Sequence, residues 1–143
     1  MKYLKTREDA IVPTKGSAAA AGYDLYVPKN QEDIIIAPKE FKKIDTGIAI
    51  ALPENSFGAL FSRSGLSTKQ GLKLTNGVGV IDEDYRGPVI ACLYNDSNEA
   101  RTIKGGDRIA QLIVIPYLPV AFEETDSLDA TERNDSGFGS TGI

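Results

Sequence analysis

The sequence predicts an all-β fold, arranged as a sandwich, barrel or jelly roll, with one short helix. Two observations lead to this prediction. Short runs rich in Val, Ile, Ala, Tyr and Phe recur along the chain, and turn-forming residues separate them. No amphipathic helical segment lies between successive runs, as a parallel α/β sheet would require. The expected strands, in order, are 2–6, 33–36, 41–52, 57–62, 72–74, 78–81, 88–95, 100–103, 108–115 and 120–122.

Pro, Gly, Asn and Asp mark the turns between these runs. Asn76-Gly77 is a strong hairpin signal, placed between the runs 72–74 and 78–81. Gly106-Asp107 predicts a turn that enters the run 108–115.

One segment departs from the strand pattern. Ser64 can cap the start of a helix, and Gly71 can end one. The sequence therefore predicts a single short helix over 64–71, directly after Arg63.

The C-terminal segment has a different composition from the rest. A chain of 143 residues is near the commonest size of one domain. Residues 131–142 are polar and glycine-rich, so alone they cannot bury enough surface to become ordered. Phe138 stands between two glycines there, a placement that makes sense if the tail closes over a flat ligand. We predict a β domain over 1–130 and a flexible tail over 131–143.

Composition limits the chemistry. The net charge of −4 argues against a large nucleic-acid footprint. The chain has no histidine and one cysteine, Cys92, which excludes an internal disulfide, zinc hydrolysis at a His/Cys site, and Ser-His-Asp or Cys-His catalysis. A hydrolase with this composition must use carboxylates, a hard metal ion, or both.

The start of the chain carries charges throughout, and no apolar run approaches ~20 residues. We therefore predict a cytoplasmic protein that binds no membrane.

Three segments offer groups for an anionic ligand or for a metal ion that accompanies it. Arg63, Ser64 and Gly65 stand at the start of the predicted helix, where backbone N–H groups and positive potential suit phosphate. Asp24 is either an exposed strand or turn carboxylate, or a ligand for Mg²⁺, direct or through water. Gln111 is polar on an otherwise apolar strand and needs a partner, unless it simply belongs to a polar face.

The segment 76–87 is the most informative. A hairpin at Asn76-Gly77 would expose backbone groups that can read the edge of a base. Asp82 can orient or deprotonate water, and Tyr85 can form a flat floor under a sugar. The alternative is a solvated acidic loop that ends at Gly87.

Five segments, 21–25, 62–66, 76–87, 106–112 and 133–142, resemble in order and spacing the five motifs of the trimeric dUTP diphosphatases (dUTPases). The resemblance runs from Ala21 to the end of the chain. It implies a β jelly roll and a threefold homotrimer, in which the C-terminal tail of one chain closes a site built by the others. It also implies hydrolysis of dUTP to dUMP and pyrophosphate with Mg²⁺. Ser62 stands where many relatives have proline.

The resemblance assigns roles to the third motif. Asp82 would orient and activate the water that attacks the α-phosphorus, and would also meet the 3′-OH of deoxyribose. Tyr85 would pack under the deoxyribose and leave no room for a 2′-OH, which would exclude UTP. The uracil edge would be read at four positions: Asn76, Gly79, Val80 and Ile81.

The resemblance also assigns the phosphate, metal and tail groups. Arg63 and Gln111 would join Asp82 in catalysis by holding phosphates, together with Ser64 and Gly65. Asp24 would support Mg²⁺ through water. In the closed tail, Phe138 would stack on uracil beside Gly139, and the γ-phosphate would be bound by Arg133, Ser140 and Thr141.

Three other interpretations stay open. A dCTP deaminase has a similar fold but needs a glutamate base where Cys92 stands, and a thiol does not replace that base; Cys92 is expected to be a small core residue. Some phage-encoded relatives regulate other proteins, so a regulatory protein partner is an alternative role if the gene is phage-encoded. The third interpretation is an inactive structural jelly roll.

Overall fold

The computed structural model describes residues 1–135, which form ten strands and one helix. In chain order the elements are β1 (Lys2–Lys5), β2 (Tyr23–Tyr26), β3 (Ile34–Ile36), β4 (Phe41–Ala51), β5 (Ser56–Phe61), α1 (Ser64–Gln70), β6 (Leu72–Leu74), β7 (Val78–Ile81), β8 (Pro88–Asn95), β9 (Arg101–Ile103) and β10 (Arg108–Pro116).

Two four-stranded antiparallel sheets build the fold. One has the strand order β1-β4-β8-β6 and the other β2-β10-β5-β7, while β3 and β9 form a small third sheet. Neither large sheet closes on itself within residues 1–135. The all-β prediction is therefore confirmed, in the sandwich form of a jelly roll.

The core lies between the two large sheets and is aliphatic. Burying one such side chain contributes about 1.5–3 kcal/mol. None of the buried hydrophobic residues within 1–135 lies beyond Leu112, so the core does not depend on the last part of the chain. The largest fully buried aliphatic side chains are Leu25, Ile36, Ile48, Leu72, Leu93, Ile103, Ile109 and Leu112.

Strand β8 shows how the sequence pattern creates this core. Successive side chains point to opposite faces, so Ala91 and Leu93 are buried while Ile90 is exposed. Cys92 shares the face of Ile90 and is only half-buried. The expectation that Cys92 is a core residue is therefore wrong, because the two-residue period places it on the outer face.

Two strand predictions differ from the structure. Residues Tyr23–Tyr26 form β2, which the sequence pattern did not separate from a turn. Residues 120–122 do not form a strand, and Val120 and Phe122 are largely exposed to solvent in this chain. The reason is pairing: β2 is held by β10 along its length, whereas no strand of residues 1–135 pairs with 120–122.

The turn at Asn76-Gly77 is present, but the hairpin is not. Gly77 has φ of +69°, the left-handed conformation that a tight turn requires. The flanking strands nevertheless separate, because β6 pairs with β8 in one sheet and β7 pairs with β5 in the other. The segment is thus a corner between the sheets, and the predicted hairpin pairing is wrong.

Helix α1 ends as the sequence predicts and begins differently. Gly71 takes the left-handed conformation (φ +70°) that ends the helix. The N-cap is Arg63, with no capping hydrogen bond from its side chain, so Ser64 is the first helical residue rather than the cap. No helix within residues 1–135 has the length and apolar character to cross a membrane.

A surface ion-pair cluster leads to a pH prediction. Asp96 accepts hydrogen bonds from Lys73 (2.8 Å) and Lys39 (3.3 Å). These bonds, with the charges of the two lysines, lower the pKa of Asp96 below its ordinary value of 3.8. A lowered pKa in the folded state means that ionised Asp96 stabilises the fold above the unfolded pKa, about 3.9. This stabilisation is lost as the pH falls through the folded pKa.

We therefore expect Asp96→Asn to lower Tm at pH 6, and expect the gap to the wild type to shrink toward pH 3. Thermal unfolding at several pH values measures this gap. Glu32→Gln, at an exposed carboxylate, is the matched control and should show a smaller gap at pH 6. A gap for Asp96→Asn that does not change with pH would contradict the prediction.

Candidate functional site

A carboxylate held between two arginines lies at one end of the sheet β2-β10-β5-β7. Asp24 Oδ1 accepts a hydrogen bond from Arg63 Nε at 2.8 Å, and Oδ2 accepts one from Arg108 Nη1 at 3.2 Å. The three residues meet because β10 lies between β2 and β5. The Asp24 side chain is only 14% exposed, whereas that of Arg108 is 49% exposed. The cluster therefore presents a net positive charge and forked donors to solvent, which suits a phosphate chain.

Sequence reasoning missed Arg108, although it singled out the segment that contains it. Strict alternation along β10 would place Arg108 on the same face as Ala110, which is fully buried. The register shifts between these two residues, and such a bulge redirects a side chain. Arg108 thereby reaches Asp24. The turn at Gly106 that precedes it, with φ of +86°, was predicted.

Gln111 has the partner that the sequence argument required. Its Nε2 donates to the carbonyl oxygen of Ser62 at 3.0 Å, across the β10–β5 ladder. Ser62 Oγ in turn accepts the backbone N–H of Leu74 at 2.8 Å, which ties the end of β5 to β6. Gln111 is thus fixed beside the start of α1 and close to the arginine pair.

The first turn of α1 is open to solvent. Ser64 and Gly65 are both exposed, and no atom lies within 4 Å of where a Gly65 Cβ would stand. The first N–H groups of a helix have no partner inside the helix. With Arg63 next to them, these groups add donors on the same side as the arginine pair.

Strand β7 forms the free edge of its sheet. It pairs with β5 on one side only, so the backbone groups of its other edge are available to a ligand. Val78 and Val80 are exposed, whereas Gly79 and Ile81 are buried. A Cβ atom at Gly79 would lie 3.4 Å from Asn76 Nδ2, so the glycine leaves the Asn76 amide beside this edge. The arrangement suits recognition of a base edge without the predicted hairpin.

A cleft of about 190 Å³ lies between the end of β7 and the start of β8. Asp82, at its lip, is exposed. The backbone N–H of Tyr85 donates to the Asp82 carbonyl at 3.1 Å, and Tyr85 Oη donates to the Pro88 carbonyl at 3.0 Å. A carboxylate and an aromatic ring therefore stand side by side in one short turn. The cleft is lined by Val80, Ile81, Asp82, Tyr85, Pro88, Val89 and Ile90.

A larger groove of about 610 Å³ adjoins this cleft and shares Val80 and Asp82 with it. Three consecutive carboxylates, Asp82, Glu83 and Asp84, line the groove, so its charge repels a phosphate chain. The smaller, less acidic cleft is the better place for a sugar and a base.

Glu83 anchors the Asp82 turn to the body of the fold. Its carboxylate accepts the N–H of Asn55 at 2.8 Å and the hydroxyl of Tyr117 at 3.4 Å. Partial desolvation and the nearby Glu83 charge raise the pKa of Tyr117 above its ordinary value. Arg86 Nη1 donates to the Glu83 carbonyl at 2.6 Å. Sequence reasoning treated Glu83 only as part of an acidic loop, since these contacts come from distant segments.

The two groups of site residues lie at opposite ends of the β5–β7 ladder. Asp82 follows Ile81, which pairs with Gly58, whereas Arg63 lies five positions beyond Gly58. At a rise of about 3.3 Å per residue, β5 alone separates Gly58 from Phe61 by roughly 10 Å, and Arg63 lies beyond the end of that strand. No hydrogen bond or ion pair described for residues 1–135 joins Asp82 to Asp24, Arg63 or Gln111. Within residues 1–135, the Asp82 turn and the arginine pair are therefore separate groups, one at each end of this ladder.

The tail residues are only partly covered by the structure. Arg133 is exposed. Phe138, Gly139, Ser140 and Thr141 lie outside the described residues, so their assigned roles stay predictions.

Comparisons with family models, curated proteins and solved structures all point to the same family. A family model described as dUTPase matches residues 8–142. The chain is 44% identical over 142 residues to the deoxyuridine 5'-triphosphate nucleotidohydrolase of Desulfitobacterium hafniense, covering 99% of this chain and 93% of that protein. It is 46% identical over 142 residues to the human mitochondrial protein of the same name, covering 99% of this chain and 54% of that protein. The solved structure of the Staphylococcus bacteriophage 80alpha dUTPase with dUPNHPP is similar, with a TM-score of 0.90, 26% identity, and coverage of 99% and 98%.

Proposed function

This chain belongs to the dUTPase family, and on that premise we propose that Asp82 positions the water that attacks the α-phosphorus of dUTP. The chain is a hydrolase that converts dUTP to dUMP and pyrophosphate. The observation that carries the proposal is that the exposed Asp82 carboxylate and the Tyr85 ring line the same cleft. A nucleoside bound against the Tyr85 ring would place its α-phosphate close to the Asp82 carboxylate.

The chemistry requires little of Asp82 beyond placement. Phosphoryl transfer depends on positioning the nucleophile and neutralising charge, with little covalent work for the protein. A carboxylate that accepts a hydrogen bond from a water molecule orients a lone pair of that water toward phosphorus, and it can accept the proton that the water loses. The anchor at Glu83 keeps the turn in place, so the water is held in line before the reaction begins.

The arginine pair is the proposed phosphate site. Arg63 and Arg108 are already held by Asp24, so binding a triphosphate needs little reorganisation of their side chains. The first turn of α1, at Ser64 and Gly65, adds N–H and hydroxyl donors. Gln111, fixed by Ser62, completes the donors on this side.

The residues present fit a magnesium ion held mainly by the substrate. No group of three or more Asp, Glu, Cys or His side chains in residues 1–135 is arranged to hold a metal ion. Mg²⁺ in nucleotide enzymes keeps several waters and binds through substrate phosphates with one or two carboxylates. Both Asp24 oxygens already face arginines, yet each has a further lone pair that can accept a hydrogen bond from a metal-bound water. The ion would neutralise triphosphate charge, and Asp24 would orient its hydration shell.

We propose that the site is shared between chains of a homotrimer. The positions of Asp82 and the arginine pair at opposite ends of the β5–β7 ladder support this, because no contact within residues 1–135 brings the two groups together. In a trimer, the cleft of one chain can face the arginine pair of the next. The segment after β10 also exposes four apolar side chains in the isolated chain, as expected of an arm that packs on a neighbour: Leu118, Val120, Phe122 and Leu128.

The proposed domain arrangement follows from this sharing. Residues 1–130 form the catalytic β domain, and residues 131–143 form the tail that closes a neighbouring site. Within the tail, Phe138 and Gly139 would cover uracil, and Arg133, Ser140 and Thr141 would bind the γ-phosphate. Three further points stay predictions from the sequence: a cytoplasmic location, no binding of nucleic acid, and a regulatory protein partner if the gene is phage-encoded.

The selectivity of the site is proposed to arise from shape and from backbone groups. The free edge of β7 at Gly79, Val80 and Ile81, with Asn76, would pair with the uracil edge. The ring of Tyr85 would contact the deoxyribose and exclude a ribose 2′-OH.

A substrate panel tests the proposal. Pyrophosphate release is measured for dUTP, UTP, dCTP and dTTP, with Mg²⁺ and with excess EDTA. We expect release from dUTP alone, strongly reduced by EDTA, and no deaminated product from dCTP. Release from UTP or dTTP at a comparable rate would refute the proposed selectivity, and full activity in EDTA would refute the metal requirement.

A further inference from the structure

The ring of Tyr85 occupies the space where a side chain at position 87 would stand. A Cβ atom built on Gly87 would overlap Tyr85 Oη and would lie 2.6 Å from Cζ and 3.1 Å from Cε2. Carbon atoms in van der Waals contact are about 3.5–4.0 Å apart. The observed position of the ring is therefore compatible only with glycine at this position.

We propose that Gly87 is a specificity-determining positioning residue, because it seats the Tyr85 ring at the depth that separates deoxyribose from ribose. This inference rests on the proposed function of the cleft. Gly87 itself contacts no substrate in this proposal, and it acts through Tyr85.

Two hydrogen bonds hold the ring in this position. At its base, the Tyr85 N–H donates to the Asp82 carbonyl at 3.1 Å. At its tip, Tyr85 Oη donates to the Pro88 carbonyl at 3.0 Å. Between these points the side chain passes over Gly87, so the missing Cβ sets how low the ring lies. The ring remains 42% exposed and turns part of its surface to the cleft.

Position 87 requires glycine because a side chain there would overlap the Tyr85 ring, and not because of its backbone conformation. Gly87 is absent from the glycines with positive φ, whereas Gly77 has φ of +69°. Pro88 follows directly, and a residue before proline favours extended conformations that alanine adopts easily. A Gly87→Ala variant should therefore keep its backbone. The ring is the free end of a side chain, so it moves and the turn does not.

Moving the ring changes selectivity in one direction. A displaced ring no longer opposes the position of the 2′-OH, and it loses its bond to Pro88. The fit to deoxyribose worsens, so kcat/KM for dUTP falls, mainly through KM. The kcat/KM for UTP, which is expected to be low in the wild type, falls less or rises. A one-methylene change in a pocket alters discrimination by about 10–200-fold. We expect the dUTP/UTP ratio of kcat/KM to fall about 10-fold or more in Gly87→Ala.

The experiment is a double-mutant cycle on the full chain. Wild type, Gly87→Ala, Tyr85→Leu and the double variant are assayed with dUTP and UTP, and folding is followed by thermal unfolding. If Gly87 acts through the ring, adding Gly87→Ala to Tyr85→Leu changes the ratio little further. Gly16→Ala is the control, since no atom lies within 4 Å of its added Cβ, and it should keep the wild-type ratio.

The remaining outcomes of this experiment each support or overturn the inference. An unchanged ratio in Gly87→Ala, or full additivity with Tyr85→Leu, overturns the inference. If Gly87→Ala does not fold but the double variant does, the clash with the ring is supported. If neither folds, Gly87 serves the backbone and the inference fails. A wild type that does not prefer dUTP over UTP would instead refute the proposed function.

Discussion

Asp82→Asn is expected to lower kcat for dUTP by about 10²–10⁴-fold, the usual contribution of a positioned general base. Asparagine keeps the shape of the side chain and can still meet the sugar, but it carries no charge and accepts a proton far less readily. Its carbonyl can still hold a water loosely, which explains why some turnover should remain. The turn itself should persist, because it is held by the backbone bond to Tyr85 and by the Glu83 anchor.

Two measurements separate this role from a structural one. Steady-state kinetics at saturating dUTP report kcat, and calorimetry with a non-hydrolysable dUTP analogue reports Kd, which should stay within a few-fold of the wild type. Asp33→Asn, at an exposed carboxylate before β3, serves as the control and should retain activity. Unchanged turnover in Asp82→Asn would remove this residue from the mechanism, and a large loss of analogue binding would assign it to binding instead.

Removal of residues 133–143 is expected to leave a folded trimer whose kcat/KM for dUTP is lower by roughly 10²–10³-fold, the effect of losing positioned charge-stabilising donors. The fold should survive because the buried hydrophobic residues within 1–135 end at Leu112 and the last strand ends at Pro116. Activity should fall because the proposed γ-phosphate and uracil contacts of the tail are removed together.

Thermal unfolding, light scattering and steady-state kinetics check the three parts of this prediction. Removal of Ile143 alone is the matched control and should have little effect. If the truncated chain keeps full activity, the tail does not close the site. If it no longer forms trimers, residues beyond 132 take part in assembly, and the boundary between domain and tail lies later than residue 131.

A mixture of the two variants tests whether sites are shared between chains. The truncated chain supplies Asp82, and the Asp82→Asn chain supplies the tail. Refolded together, they should form mixed trimers in which some sites contain both groups, so activity should rise well above that of either variant alone. A mixture no more active than its components would show that each site takes both groups from one chain.

Several features of this protein are encoded locally and were predicted from the sequence. The strand at β8, the end of α1 at Gly71 and the turn at Gly106 each depend on residues close together in the chain. The need of Gln111 for a partner also follows from its place on an apolar strand. The five motifs are similarly local, so their order was sufficient to indicate the family, which the family model over residues 8–142 confirms.

Other features depend on contacts between distant segments. The sequence suggested a hairpin at Asn76-Gly77, but the burial of β6 and β7 against different sheets overrides the local turn preference. Helix capping by Ser64 was wrong for a related reason, since the chain enters α1 directly from β5 and Arg63 takes the cap position. Local propensity is worth about 1 kcal/mol here, less than the burial of a single core side chain.

By itself the sequence determined the all-β class, most strand positions and the chemical inventory of the site, because alternation, turn residues and motif spacing are properties of neighbouring residues. Only the tertiary structure decided that Arg108 joins Arg63 on Asp24, that Glu83 anchors the Asp82 turn, and that Gly87 lies beneath the ring of Tyr85. The physical reason is that a β-bulge, a sheet register and a close approach of two side chains are set by how strands pack, and packing is not visible in a local pattern.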